Sequence, residues 1–129
     1  MKYIRQRHND DCGIASLAMV AGISYRKAYK LLRPMGNRVW CLGTWDEEIC
    51  GAMRELGIDY ELTYDKSFFK LGRPAIVAID VGESGFTHAV AYDPKTGSIM
   101  DPGIMYMTGY SLSYCKRKFL SAIVNHGNN

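Results

Sequence analysis

The segment from Gly13 to Ala21, GIASLAMVA, most narrowly limits how this 129-residue chain can fold. Every residue in it except Ser16 is small or apolar, so a helix built from it has no face suited to water. Such a helix must be covered on nearly all sides by other elements, and Gly22 supplies a natural stop at its C-terminus. The sequence therefore predicts a buried central helix that begins at Cys12, directly after a polar loop.

The remaining pattern predicts two more helices followed by a sheet. Ser24 is expected to cap a second helix that runs to about Arg33, and Thr44 with Glu47 forms a capping box for a third that ends before Gly57. Beyond residue 57 the sequence becomes β-like, in the stretches IDYELTY, PAIVAID, THAVAYD, SIMD and FLSAIVN. We expect one α+β domain spanning 1–129, with helices at about 12–57 packed on an antiparallel sheet at about 58–124.

Composition excludes several classes of function. Sixteen Lys and Arg against thirteen Asp and Glu give a net charge of only +3, too small for the basic footprint of a nucleic-acid binder. No apolar run approaches the roughly 18 residues of a membrane span, and the N-terminus lacks the apolar core of a signal peptide. We therefore expect a cytoplasmic protein with neither a nucleic-acid partner nor a membrane span; the sequence does not indicate its oligomeric state.

Four cysteines, at positions 12, 41, 50 and 115, show no spacing typical of a metal site, and a reducing compartment disfavours disulfides. Neither a metal nor a cofactor is expected. Cys12 differs from the others because unpaired amides and the helix dipole at a helix N-terminus favour a thiolate, which is the nucleophilic form. Its position alone leaves two alternatives open, a nucleophile or a buried packing residue. Asp11, just before the helix, is expected to cap it.

A hairpin in THAVAYDPKTGSIMDPG favours the nucleophile. If residues 94–97 form a four-residue turn with Gly97 at positive φ, Asp93 pairs with Ser98, and His88 and Asp101 become diagonal neighbours on one face. Asp93 lies at the hairpin tip, about 16 Å from His88 at the rise of a strand, so its expected role is in the turn. His88 and Asp101 can then serve Cys12 as a base and as the group that orients that base. Gln6, in the preceding loop, offers a side-chain amide to an oxyanion.

The pattern of Gln6, five residues, and then Cys12-Gly13 opening a buried helix, with His88 and Asp101 on later strands, resembles the papain-like cysteine peptidases. QRHNDDCGIASLAMVAG and HAVAYDPKTGSIMDPG are similar to the peptidase domain of bacteriocin-processing transporters, which cut leader peptides after a double glycine. The resemblance covers about Gln6 to Asp101 and implies a nucleophile at Cys12, a base at His88, an orienting carboxylate at Asp101 and an oxyanion donor at Gln6. It implies a cysteine peptidase that acts on a peptide or protein substrate through an acyl-enzyme, here expected to be a stand-alone member.

Two other functions fit the same residues. The triad would also serve an isopeptidase, an acyl transferase or a peptidoglycan-type amidase, and a silent module could hold a peptide tail in the same cleft. Each of the remaining candidate features also has a simpler interpretation as core packing, a solvated face or a connection between elements. These features are a peptide groove walled by Trp40 and Cys41, a flap in VGESGF before His88, activation of Cys115 by nearby cations, His8 as a rival base, His126 in a loop, and the basic run Lys116 to Lys118.

Overall fold

A computed structural model describes residues 1–8, 11–32, 46–81, 87–103 and 111–128. The helices are α1 (Cys12–Ala21), α2 (Tyr25–Leu32), α3 (Asp46–Glu55) and α4 (Leu112–Arg117), with a short 3-10 helix at Phe68–Leu71. The strands are β1 (Ile58–Thr63), β2 (Ala75–Asp80), β3 (Thr87–Asp93), β4 (Ser98–Met100) and β5 (Phe119–Asn128). Within these ranges, no helix has the length and apolarity needed to cross a bilayer.

The five strands form one antiparallel sheet in the order β1-β5-β2-β3-β4. The last strand in the chain therefore lies inside the sheet, between β1 and β2. Because side chains alternate along a strand, each face of the sheet carries its own apolar cluster. On one face the cluster includes Ile76, Ala91 and Ile123 together with α1, α2 and α3. On the other face it includes Phe68, Val77, Ile79, Val90 and Val124.

Helix α1 is buried as its composition predicts. Every residue from Cys12 to Val20 is buried, and the helix packs on β3 and β2. Gly22 ends it in the left-handed conformation, with φ of 70°, which few residues other than glycine adopt readily. The buried helix thus fixes its own N-terminus, and Cys12 with it, against the face of the sheet.

Helices α2 and α3 cover α1 with their apolar faces. In α2 the predicted cap is confirmed, because Ser24 Oγ accepts from the Lys27 amide at 3.1 Å, and Tyr25, Ala28 and Leu32 are buried. In α3 the apolar residues Ile49, Ala52 and Met53 are buried. The capping-box residue Thr44 and the predicted end of α2 at Arg33 lie outside the described residues.

The sequence pattern did not predict two elements in the second half of the chain. Helix α4 occupies LSYCKR, where the only feature evident in the sequence is the basic run that starts at Lys116. Ser111 caps this helix by accepting from the Tyr114 amide at 3.0 Å. The 3-10 helix at Phe68–Leu71 buries the Phe68 ring, which stacks on Phe119 with ring centroids 5.5 Å apart. Both elements are short, so neither shows the repeated apolar spacing that reveals a longer helix.

Candidate active site

Cys12 occupies the first position of α1, against strand β3. The Asp11 carbonyl accepts from the amides of Ile14 at 3.1 Å and Ala15 at 3.2 Å, which starts the helix at this point. The Cys12 sulfur lies 3.3 Å from the Ala89 backbone nitrogen, which donates a hydrogen bond to it. No sequence feature marks this donor, since every residue type except proline carries a backbone N–H. Strand β3 therefore presents both an amide and the neighbouring His88 to the sulfur.

The predicted hairpin is confirmed in its register. Asp93 pairs with Ser98 and Ala91 with Met100, and Gly97 has a φ of 67°. Asp93 stays in the turn as expected, where its backbone oxygen accepts from the Gly97 amide at 2.8 Å and its side chain accepts from the Lys95 amide at 3.0 Å. Asp101, directly after β4, is thereby brought beside the beginning of β3.

His88 and Asp101 are in direct contact inside the protein. His88 Nε2 lies 2.7 Å from Asp101 Oδ1, and both residues are buried. Burial alone lowers the pKa of His88, but hydrogen bonds to Asp101 and Cys12, together with the negative charges of these two groups, raise it from 6.5 to about 10. Since Nε2 faces Asp101, the other ring nitrogen is left for the sulfur. The three side chains thus form one hydrogen-bonded line in which the imidazolium is stabilised.

The N-terminal segment holds the Asp101 loop in place. Asp101 Oδ1 also accepts from the Gly103 amide at 2.8 Å, while Tyr3 Oη donates to the Asp101 backbone oxygen at 2.6 Å. The backbone N–H of Gln6 donates to the Pro102 carbonyl oxygen at 2.8 Å. Sequence analysis missed Tyr3, which no motif marks. Asp101 Oδ2 is buried and has no hydrogen-bond partner among the described residues.

Gln6 is buried next to this loop, with 6% of its surface exposed. Its Nε2 donates to the His8 carbonyl at 2.6 Å, and its Oε1 has no partner within the described ranges. A primary amide nitrogen carries two hydrogens, so one remains for another acceptor after His8 is bonded. The loop before α1 therefore holds a fixed, desolvated amide donor, the type of group that an oxyanion requires.

Asp11 does not cap α1 with its side chain, which corrects the sequence-based expectation. Its carboxylate turns back to the preceding loop, where it accepts from the amides of Arg7 and His8, each at 2.9 Å, and from the hydroxyl of Tyr25 at 2.5 Å. Three donors satisfy a fully buried carboxylate better than a single helix amide would. No sequence motif marks the Tyr25 hydroxyl as a partner of Asp11.

The other cysteines differ from Cys12 in their surroundings. Burial, and to a smaller extent the charge of Asp101, raise the pKa of Cys115 to about 12, so nearby cations do not activate this thiol. Burial and then Asp46 raise the pKa of Cys50. Cys41 lies outside the described residues, as do Trp40 and the part of the predicted flap at 82–86.

Two further histidines, His8 and His126, belong to the described residues. His8 is exposed, and its backbone amide is bonded to Asp11. His126 lies on strand β5 and not in a loop as expected, and its Nε2 is 3.0 Å from Glu61 Oε1. In the basic run, the Lys116 ammonium sits 3.6 Å from the centre of the Phe69 ring. No group of three or more His, Cys, Asp or Glu side chains in the described part of the chain is placed to hold a metal ion.

Comparison with known proteins establishes the fold. No protein-family model matches the chain, and no curated protein matches it. Among solved structures, the chain is similar to the peptidase domain of Streptococcus ComA, a bifunctional ABC transporter involved in quorum sensing, with a TM-score of 0.75 and 22% identity. The match covers 99% of this chain and 100% of that domain. The expected α+β, papain-like fold of the bacteriocin-processing peptidase type is confirmed.

Proposed function

We propose that this protein is a cysteine peptidase that cleaves peptide or protein substrates through a thioester acyl-enzyme. The observation that carries the proposal is the hydrogen-bonded line of Cys12, His88 and Asp101, formed by residues from the helical and the sheet halves of the fold. The peptidase-domain fold of the chain is consistent with it. In this proposal Cys12 is the nucleophile, His88 the base, Asp101 the group that orients the imidazole, and Gln6 the oxyanion donor.

Acylation begins with the thiolate and imidazolium side by side. The Cys12 sulfur attacks the substrate carbonyl carbon, a C–S bond forms, and the carbonyl oxygen becomes an oxyanion near the free N–H of Gln6 and the helix N-terminus. His88 then gives its proton to the leaving nitrogen as the C–N bond breaks. A high pKa for His88 keeps that proton available at neutral pH.

Deacylation uses the same groups in reverse. A water molecule attacks the thioester carbonyl while His88 takes one of its protons. The C–S bond breaks and the acid product leaves, which restores the thiolate and imidazolium. Asp101 keeps the ring oriented throughout, because its Oδ1 is held by both His88 and the Gly103 amide. The reaction needs Cys12 as a free thiol, so we also propose a reducing, cytoplasmic location.

A peptide-mixture assay tests the proposal. The wild-type protein is incubated with a diverse peptide mixture that includes Gly-Gly sequences, and newly formed N-termini are identified by mass spectrometry. We expect cleavage by the wild type, none by Cys12→Ala, and a transient mass increase on the peptide that contains Cys12. Cys50 and Cys115 of the same molecule, whose pKa values are raised by burial, serve as internal controls and should remain unmodified.

Other outcomes point to the alternative functions. An acylated Cys12 without any main-chain cleavage would favour an isopeptidase or an acyl transferase. Failure of both cleavage and acylation would contradict the peptidase and favour a silent binding module. Cleavage that persists in Cys12→Ala would show that another group, or a contaminating enzyme, is responsible.

A further inference from the structure

The buried carboxylate of Asp11 organises the loop that carries Gln6. Asp11 is fully buried, and its three hydrogen bonds come from Arg7, His8 and Tyr25. Two of these donors are consecutive backbone amides, so the carboxylate fixes the path of the chain immediately after Gln6. A buried carboxylate destabilises the folded protein unless all of its hydrogen-bond donors are in place, so the conformation of the loop depends on each of them.

A continuous path of hydrogen bonds joins Tyr25 to the Gln6 side chain. Tyr25 Oη donates to Asp11 Oδ2, Asp11 Oδ1 accepts from the His8 amide, and the His8 carbonyl accepts from Gln6 Nε2 at 2.6 Å. Residue 8 is therefore held on its N–H side by Asp11 and on its C=O side by Gln6. Residue 8 therefore connects the position of Asp11 to that of the Gln6 side-chain amide.

The His8 carbonyl also decides which end of the Gln6 amide faces which neighbour. The oxygen and the NH₂ group of a glutamine have nearly the same shape, and only hydrogen bonds distinguish their two orientations. With Nε2 held on the His8 carbonyl, the second N–H remains available to an acceptor. If that carbonyl moved away, the amide could rotate and present Oε1, which an oxyanion repels.

Tyr25 is well suited to fix this path from the side of helix α2. Its ring is buried, and the Arg7 guanidinium lies 4.2 Å from the ring centre, so the Arg7 side chain contacts Tyr25 as well as the Asp11 carboxylate does. Burial, and then the hydrogen bond to Asp11, raise the pKa of Tyr25. The hydroxyl consequently remains a donor throughout the range in which the protein would act.

We propose that Tyr25 is a positioning residue that acts through Asp11 and His8 to keep the Gln6 amide nitrogen directed at the developing oxyanion. The inference rests on the proposed function and adds a residue that touches neither substrate nor sulfur. It predicts a specific defect: steps that create an oxyanion slow down, whereas reactions of the Cys12 sulfur without an oxyanion do not.

Two small probes separate these steps. p-Nitrophenyl acetate acylates the sulfur through a tetrahedral intermediate, with release of p-nitrophenolate, whereas iodoacetamide alkylates it by direct displacement of iodide and forms no oxyanion. Both rates are measured on the wild type, Tyr25→Phe, Gln6→Ala and the double variant. Tyr60→Phe is the matched control, since Tyr60 also lies under an arginine, Arg54, to which its hydroxyl is hydrogen-bonded, but belongs to edge strand β1.

We expect Tyr25→Phe to slow acetylation by about 10-fold and Gln6→Ala by about 100-fold, with alkylation rates within about twofold of wild type. The double variant should be no slower than Gln6→Ala, because both substitutions remove the same stabilisation. Tyr60→Phe should leave both rates unchanged.

An equal loss of both rates in Tyr25→Phe would overturn the inference, because it would indicate a general structural defect, and so would acetylation at the wild-type rate. A wild-type protein that p-nitrophenyl acetate does not acylate at Cys12 would instead overturn the proposed function, and this inference with it.

Discussion

Replacing Asp11 with alanine should destabilise the protein strongly, because the carboxylate is fully buried and accepts three hydrogen bonds. The Tyr25 hydroxyl is buried and would lose its acceptor, which costs about 1–3 kcal/mol. The amides of Arg7 and His8 are only partly buried, so water replaces the carboxylate in part and each loses about 0.5–1.5 kcal/mol. The sum is about 2–6 kcal/mol.

The assay is urea unfolding at pH 7, followed by circular dichroism. We expect the free energy of unfolding to fall by about 4 kcal/mol in Asp11→Ala, a large part of the total of about 5–15 kcal/mol that is typical of a domain. Asp65→Ala is the control, since Asp65 also accepts hydrogen bonds from the amide and hydroxyl of Ser67 but is exposed. Water can replace that carboxylate, so the control should lose little. Equal losses in the two variants would refute the reasoning.

Further predictions concern the hydrogen-bonded line of Cys12, His88 and Asp101 and other parts of the fold. The free energy of unfolding of wild type should exceed that of His88→Gln by most below pH 6.5, and the difference should disappear as the pH rises towards 10. The reason is that a raised histidine pKa stabilises the folded state only while the folded form keeps its extra proton. Urea unfolding at a series of pH values checks this, and a difference that stays constant would contradict it. Asp101→Asn should keep the fold by circular dichroism but slow acetylation by p-nitrophenyl acetate about 100-fold or more, since the neutral amide no longer stabilises the imidazolium; wild-type kinetics would count against the proposed triad. Cys115 should resist a disulfide-exchange reagent at pH 8 in the native protein and react only in denaturant, and ready native labelling would show that burial does not protect it. Ser24→Ala should lower the free energy of unfolding by about 1 kcal/mol through loss of the α2 cap, and an unchanged urea midpoint would be inconsistent with that cap.

The parts of the site that the sequence predicts are those fixed by local chemistry. The turn at residues 94–97 sets the hairpin register, and that register brings Asp101 beside His88. The uniformly apolar α1 must be buried, which carries Cys12 to the sheet. Each inference needs only neighbouring residues and one rule of geometry.

The parts that the sequence does not predict depend on contacts between distant segments. Tyr3 reaches the Asp101 carbonyl across 98 positions, and Tyr25 reaches Asp11 from another helix. Neither tyrosine belongs to a motif, and a buried tyrosine beside Ala28 and Leu32 is equally typical of simple core packing. The position of Asp11 suits a helix cap, but the fold offers its carboxylate three donors instead, namely two amides in the preceding loop and the Tyr25 hydroxyl on α2.

The pH dependence of Cys12 alkylation tests the central claim most directly. Iodoacetamide is applied from pH 4 to 9 to wild type and His88→Gln, and the modified cysteines are mapped by mass spectrometry. We expect rapid labelling of Cys12 well below pH 8.5 in the wild type, with Cys50 and Cys115 unmodified, and loss of that reactivity at acidic pH in His88→Gln. Labelling of Cys12 that rises only near pH 8.5, and equally in both proteins, would contradict it.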